Sequence, residues 1–164
     1  ITVETDGVSE LCSDVGYLNT ASVAESLGEI SQIDASSFND AECVDVPLIK
    51  LAWGRSGDKG NKANIGIIAR KSEFLPYIAT AMSVEAVTRY FQHFLADSQS
   101  STNSVERFYL PGINAFNFLL HDVLGGGGMA SLRNDSQGKA YAQLLLSQSV
   151  RVHTSFAKTH DLLD

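Results

Sequence analysis

The stretch Gly54–Arg70, GRSGDKGNKANIGIIAR, lies between two apolar runs and carries glycines at 54, 57 and 60 among Arg55, Asp58, Lys59, Asn61, Lys62 and Asn64. A plain connector needs only a few turn residues. So much charge and backbone freedom predicts either a loop that holds a ligand or a tight hairpin whose Asp and Asn bond their own backbone. Neither nucleotide signature is present. Gly60 is followed by Asn61 rather than by the Lys-Ser/Thr pair of GxxxxGK[ST], and the glycine spacing does not fit GxGxxG. What remains is physical. Glycines let backbone N–H groups turn toward an anion. Arg55, Lys59 and Lys62 supply positive charge, while Asn61 and Asn64 supply directional hydrogen bonds. Asp58, set among the cations, could orient a lysine or act as a general base.

Outward from this stretch the chain punctuates regularly. VPLIKLAW (46–53) is a near-continuous apolar run that suits a central strand buried on both faces. NIGIIAR (64–70) reads as a second short strand. LPYIATAM has Pro76 near the first position of one or two helical turns. SVEAVTRYFQHFL is a clearer helix, with Ser83 as N-cap and Val84, Val87, Phe91, Phe94 and Leu95 as its apolar stripe. ADSQSSTNS (96–104) is a polar loop, and VERFYLP (105–111) a strand ended by Pro111. INAFNFLLHDVL predicts an amphipathic helix with Ile113, Phe116, Leu120 and Val123 inward, stopped by Gly125–Gly128. MASLRND is read as a short strand, QGKAYAQLLLSQ as a helix and SVRVHTSF as a final alternating strand. Strands and helices intermix with connections too short for several βαβ units. The economical architecture is therefore α+β, a two-layer sandwich.

Charge divides the chain. Residues 1–45 hold ten acidic residues and no Lys or Arg, whereas 46–164 hold all twelve bases against nine acids, within a net charge of −7. An acidic arm (1–45) thus precedes a mildly basic body (46–164). Within the arm only TASVAESLGEI is periodic, with Val23, Leu27 and Ile30 at helical spacing. Bases do not cluster with aromatics, which argues against nucleic acid as a partner. No apolar run approaches the ~18 residues of a membrane span. The chain begins at Ile1 with no export signal, so a fragment or processed product, working in the cytoplasm, is expected. Cys12, Cys43 and the four histidines show no ligand spacing, and neither GxSxG nor HExxH occurs. No metal or cofactor is expected.

Two further segments carry candidate chemistry. GGGGMASLRNDSQGK (125–139) sets Ser131, Arg133, Asp135 and Lys139 beside four consecutive glycines. An anion between Arg133 and the start of the following helix would gain from charge and dipole together; a surface loop with solvated charges is the alternative. Asn114, Asn117 and His121 would share the polar side of the predicted 113–124 helix.

Taken together, Trp53–Asn61 followed by Asn64–Arg70, then LPGINAFNFLL, then GGGGMASLRNDSQGKAYAQLLL and a closing strand resemble the C-terminal domain of the acyclic terpene utilisation protein A-like (AtuA-like) family. The resemblance spans about residues 46–153 and implies a ferredoxin-like fold, with a mixed or antiparallel sheet and helices on one face. It implies a role in catabolism of acyclic terpenoids through acyl-CoA thioesters, and a larger α/β domain preceding this one, as a separate chain or a missing part. It also draws the matched polar residues into one expected site. Asp58 and Lys59 would move a proton next to a thioester, as in a hydratase or lyase. Arg55, Asn61, Asn64, Asn117, Arg133, Asp135 and Lys139 would bind an anionic substrate, a carboxylate or an acyl-CoA. Two departures stand out: Trp53-Gly54 replaces smaller residues, and a Ser-rich insert lengthens the 97–104 loop. The reading from a different class is a non-catalytic interaction or regulatory domain, its loops binding a partner and its arm a tether or a cover for the basic body. Unpaired edge strands add self-association as an expectation.

Overall fold

The first strand, β1 (Cys43–Pro47), gives way to a single helical turn, α1 (Leu48–Leu51), and then to the long β2 (Ala52–Lys59). The computed structural model that shows this describes residues 42–95 and 104–163. The single strand expected over 46–53 is therefore two strands with a helical turn between them. Leu48 and Leu51 stand three residues apart, so one turn buries both against the core. The Leu48 N–H donates to the Gln148 carbonyl at 2.8 Å, and the Lys50 ammonium to the Leu162 carbonyl at 2.9 Å. An unbroken apolar run carries no period from which this turn could be read.

β3 (Lys62–Ala69), α2 (Leu75–Ala81) and α3 (Val84–Leu95) follow. α2 and α3 match the sequence reading. Pro76 sits in the first turn of α2, and the Ser83 hydroxyl accepts the Ala86 N–H at 3.1 Å as the N-cap of α3. Val87, Phe91 and Leu95 are the fully inward residues of the α3 stripe. β4 (Val105–Leu110) is also as expected.

The expected 113–124 helix is instead β5 (Ala115–Leu120), paired on both sides. AFNFLL alternates: Phe116, Phe118 and Leu120 point into the core while Asn117 and Leu119 do not. The helical stripe proposed from Phe116 and Leu120 uses two of these same residues, and a central place in the sheet decides for the strand. MASLRND contains no strand but a series of turns. Next come α4 (Tyr141–Leu146), β6 (Ser149–His153) and α5 (Thr154–Thr159); the closing strand thus ends at His153 and a helical turn takes over. The periodic piece of the arm and residues 96–103 of the polar loop lie outside the described residues.

The sheet order is β2-β3-β5-β4, antiparallel throughout, and β1 pairs antiparallel with β6 as a second, two-stranded sheet. Helices pack on one face of the larger sheet. Its inward row Ile65, Ile67, Phe116, Phe118 and Leu120 joins Phe91 of α3 and Tyr141 and Leu145 of α4 in one apolar core. Gly54 lies on this face because a Cβ there would come within 3.3 Å of the Leu146 side chain and 2.9 Å of Ile67. Arg107, on the inward side of β4, donates to the carbonyls of Ala79 and Met82 at 2.9 Å each, closing the C-terminal end of α2. Burial lowers the pKa of its guanidinium, partly offset by the charge of Glu85.

Candidate functional site

Most of the suspected ligand loop is strand. β2 runs through Arg55–Lys59, β3 resumes at Lys62, and only Gly60 and Asn61 turn the hairpin, Gly60 at φ +67°. The two glycine-bearing segments nevertheless meet. The Asn61 side-chain carbonyl accepts the Gly126 N–H at 2.7 Å, and its amide donates to Asp122 at 3.1 Å. Gly127 lies so close to the hairpin turn that a Cβ on it would stand 2.2 Å from the Gly60 carbonyl oxygen.

A second junction lies at the start of α4. The buried Ser56 hydroxyl donates to the Gly138 carbonyl at 2.6 Å, has the Lys139 carbonyl at 3.1 Å, and accepts the Ala142 N–H at 2.9 Å. Asp135 closes the same turn from outside: its two carboxylate oxygens accept the N–H groups of Lys139 and Ala140 at 2.8 and 2.9 Å. Ser56→Ala takes the acceptor from the buried Ala142 N–H and leaves the Gly138 carbonyl with only the longer bond from the Tyr141 N–H at 3.4 Å. It is expected to cost about 2 kcal/mol in denaturant unfolding.

These junctions fix the walls of an open groove of about 500 Å³, lined by Arg55, Ser56, Gly57, Asp58, Lys59, Asn64, Gly66 and Lys139. Gly57 and Gly66 fall on the sheet face turned away from the helices, and where neighbouring strands would raise side chains they leave a depression. The Lys139 ammonium occupies the space a side chain at 57 would take, 3.2 Å from the Cβ position. It pairs with Asp58 at 3.5 Å, both groups in contact with solvent, so the pair itself contributes no more than about 1 kcal/mol. The Lys59 ammonium donates to the Asp58 carbonyl at 3.1 Å. Asn64 donates through its side-chain amide to Asn117 at 3.3 Å across β3 and β5.

The structure thus brings Arg55, Asp58, Lys59, Asn64 and Lys139 to one groove, with Asn117 bonded to its rim. Asn61, Asp135 and Arg133 are not among its lining residues. Asn61 and Asp135 hold turns. Arg133 donates to the carbonyls of Val123 and Phe94, the latter at 3.1 and 3.2 Å, with its guanidinium 5.7 Å from the Phe94 ring centre. His121 bonds to Glu106. Its shared helix face with Asn114 and Asn117 dissolves, because 115–120 is a strand. Sequence reasoning missed Ser56 and the floor glycine Gly66. The signal for Gly66 is a glycine on the outward phase of an otherwise alternating strand. Among the described residues no cluster of three His, Cys, Asp or Glu side chains could hold a metal ion, and no helix is long and apolar enough to cross a membrane.

A four-stranded antiparallel sheet with its helices on one side is a two-layer architecture of the α+β class. Within that class the chain belongs to the AtuA ferredoxin-like domain family, whose model matches residues 46–151. No match was found among the curated proteins or the solved structures.

Proposed function

We propose that the groove binds an anionic small molecule, a carboxylate or an acyl-CoA thioester, as part of a hydratase- or lyase-like enzyme of terpenoid and acyl-CoA breakdown. The observation that carries this reading is the convergence of Arg55, Lys59 and Lys139 with a single carboxylate, Asp58, on a depression floored by glycines. Three cations around an open floor suit a carboxylate or phosphate, and Arg55 offers a planar two-pronged donor. Asn64 adds a neutral donor and acceptor at the rim. With an anion bound, Lys139 can turn from Asp58 toward the ligand, leaving the Asp58 carboxylate to take a proton from a carbon beside the thioester. Lys59 is the companion acid. A larger preceding domain, or a partner chain, would supply the rest of the catalytic set.

Titration calorimetry with octanoyl-CoA, and with octanoate as the simpler anion, tests this. Binding heat is expected, with affinity falling roughly 10- to 100-fold in Arg55→Ala or Lys139→Ala, the loss of one charge-assisted contact. Unchanged affinity in both variants would remove the groove from the account. A second reading, an interaction domain, is favoured by Met129 and Leu132, whose side chains stand wholly exposed on the segment after the four glycines. Such a domain would show no heat with either anion.

A further inference from the structure

The sheet face turned away from the helices is apolar at the end opposite the hairpin turn. Trp53, Ile68, Ala115 and Leu110 form one row across all four strands, with Phe108 in the next row and Ile113 just beyond β4. Of these, Trp53 is 53% exposed, Ile113 55%, and Ile68, Phe108 and Leu110 each about 40%. Adjoining apolar side chains left open in this way mark a surface made to be covered. The same face is basic. Arg55 and Lys59 on β2 and Lys62 on β3 share its phase. The Arg70 guanidinium lies 4.7 Å from the Trp53 ring centre, tethered to the carbonyls of Ile49 and Ala52 at 2.9 and 3.3 Å. The acids on its strands are Glu106, already bonded to His121, and Asp58, already paired with Lys139 at 3.5 Å.

We propose that residues 20–34 of this chain cover that face. Val23, Leu27 and Ile30 recur at i, i+4 and i+7 and form one apolar stripe when helical, which lies against Trp53, Ile68, Phe108 and Leu110. Glu25, Glu29 and Asp34 belong to an arm with ten acids and no base, and they sit in the field of Arg55, Lys62 and Arg70. The eight residues 35–42 between this segment and β1 span about 28 Å when extended, roughly the width of a domain of this size. A second copy of the chain is the poorer occupant, because it would set the same cations against one another.

Trp53 is the sole tryptophan of the chain, so its emission reports on this face directly. The test compares acrylamide quenching of the full chain with that of the full chain carrying Val23→Asp, Leu27→Asp and Ile30→Asp, with circular dichroism to check that the body of each is folded. The expected result is a blue-shifted, protected Trp53 in the unchanged chain and severalfold greater quenching in the variant. About 0.5 M salt should move the unchanged chain part of the way, as screening shortens the reach of the charges. Equal quenching of an exposed Trp53 in both chains would overturn the proposal. So would equal protection in both that is lost on dilution, which would assign the face to a second copy.

Discussion

Gly127→Ala is expected to destabilise the protein by about 3–5 kcal/mol, the sum of a backbone clash and a left-handed conformation forced on alanine. Gly127 has φ +74°, and its Cβ would meet the Gly60 carbonyl oxygen at 2.2 Å, the Gly60 carbonyl carbon at 2.6 Å and the Asn61 nitrogen at 2.9 Å. All three are backbone atoms, so no rotamer change relieves the overlap and the two turns must part. The Asn61 bonds to Gly126 and Asp122 would be lost with them. Gly128→Ala is the internal control. Its φ is +47° and nothing lies within 4 Å of the added carbon, so only the conformational cost of about 1–2 kcal/mol remains. Urea unfolding of the two variants side by side measures the contact. Equal losses would mean that Gly60 and Gly127 do not touch.

Arg133→Met is expected to cost about 3 kcal/mol while leaving affinity for the anions unchanged. The guanidinium serves two main-chain carbonyls, Phe94 near the end of α3 and Val123 in the loop, and lies against the Phe94 ring. Hydrogen bonds from a charged donor contribute about 1.5–3 kcal/mol each when removed singly, and helix-end carbonyls left without a partner add to the loss. Methionine keeps much of the packing volume but none of the donors. Arg133→Lys should recover only part, because one ammonium cannot reproduce a planar fork across two acceptors. Thermal unfolding gives the stability and calorimetry the affinity. A variant that folds normally yet no longer binds octanoyl-CoA would return Arg133 to the ligand.

The course of the chain was legible where one signal dominated. Ser83, Glu85 and the stripe Val87–Phe91–Leu95 announced α3, because cap and period agree there. The α+β class, the family and the meeting of the two glycine-bearing segments were likewise within reach of the sequence. The misreadings share a cause. In 46–53 and 113–124 the apolar residues satisfy more than one period, and only the neighbours chosen at long range settle which face is buried. Gln148, a hundred residues away, fixes the turn at Leu48, and strands on both sides fix β5. Among the polar residues, charge was informative and destination was not. Arg133 and Lys139 look alike in a string of letters. Nothing local shows that one reaches inward to two carbonyls while the other crosses an edge strand to fill the space beside a glycine.

The Ser56 hydroxyl has a consequence for whatever enters the groove. By seizing the carbonyl of Gly138 and the N–H of Ala142, it clamps the edge strand bearing Asp58 to the turn bearing Lys139. The two backbone segments that carry the opposing charges are set at their spacing when the chain folds. Under the proposed reading an anion would have to reorder the Lys139 side chain but not the walls, and would forfeit little of its binding free energy there.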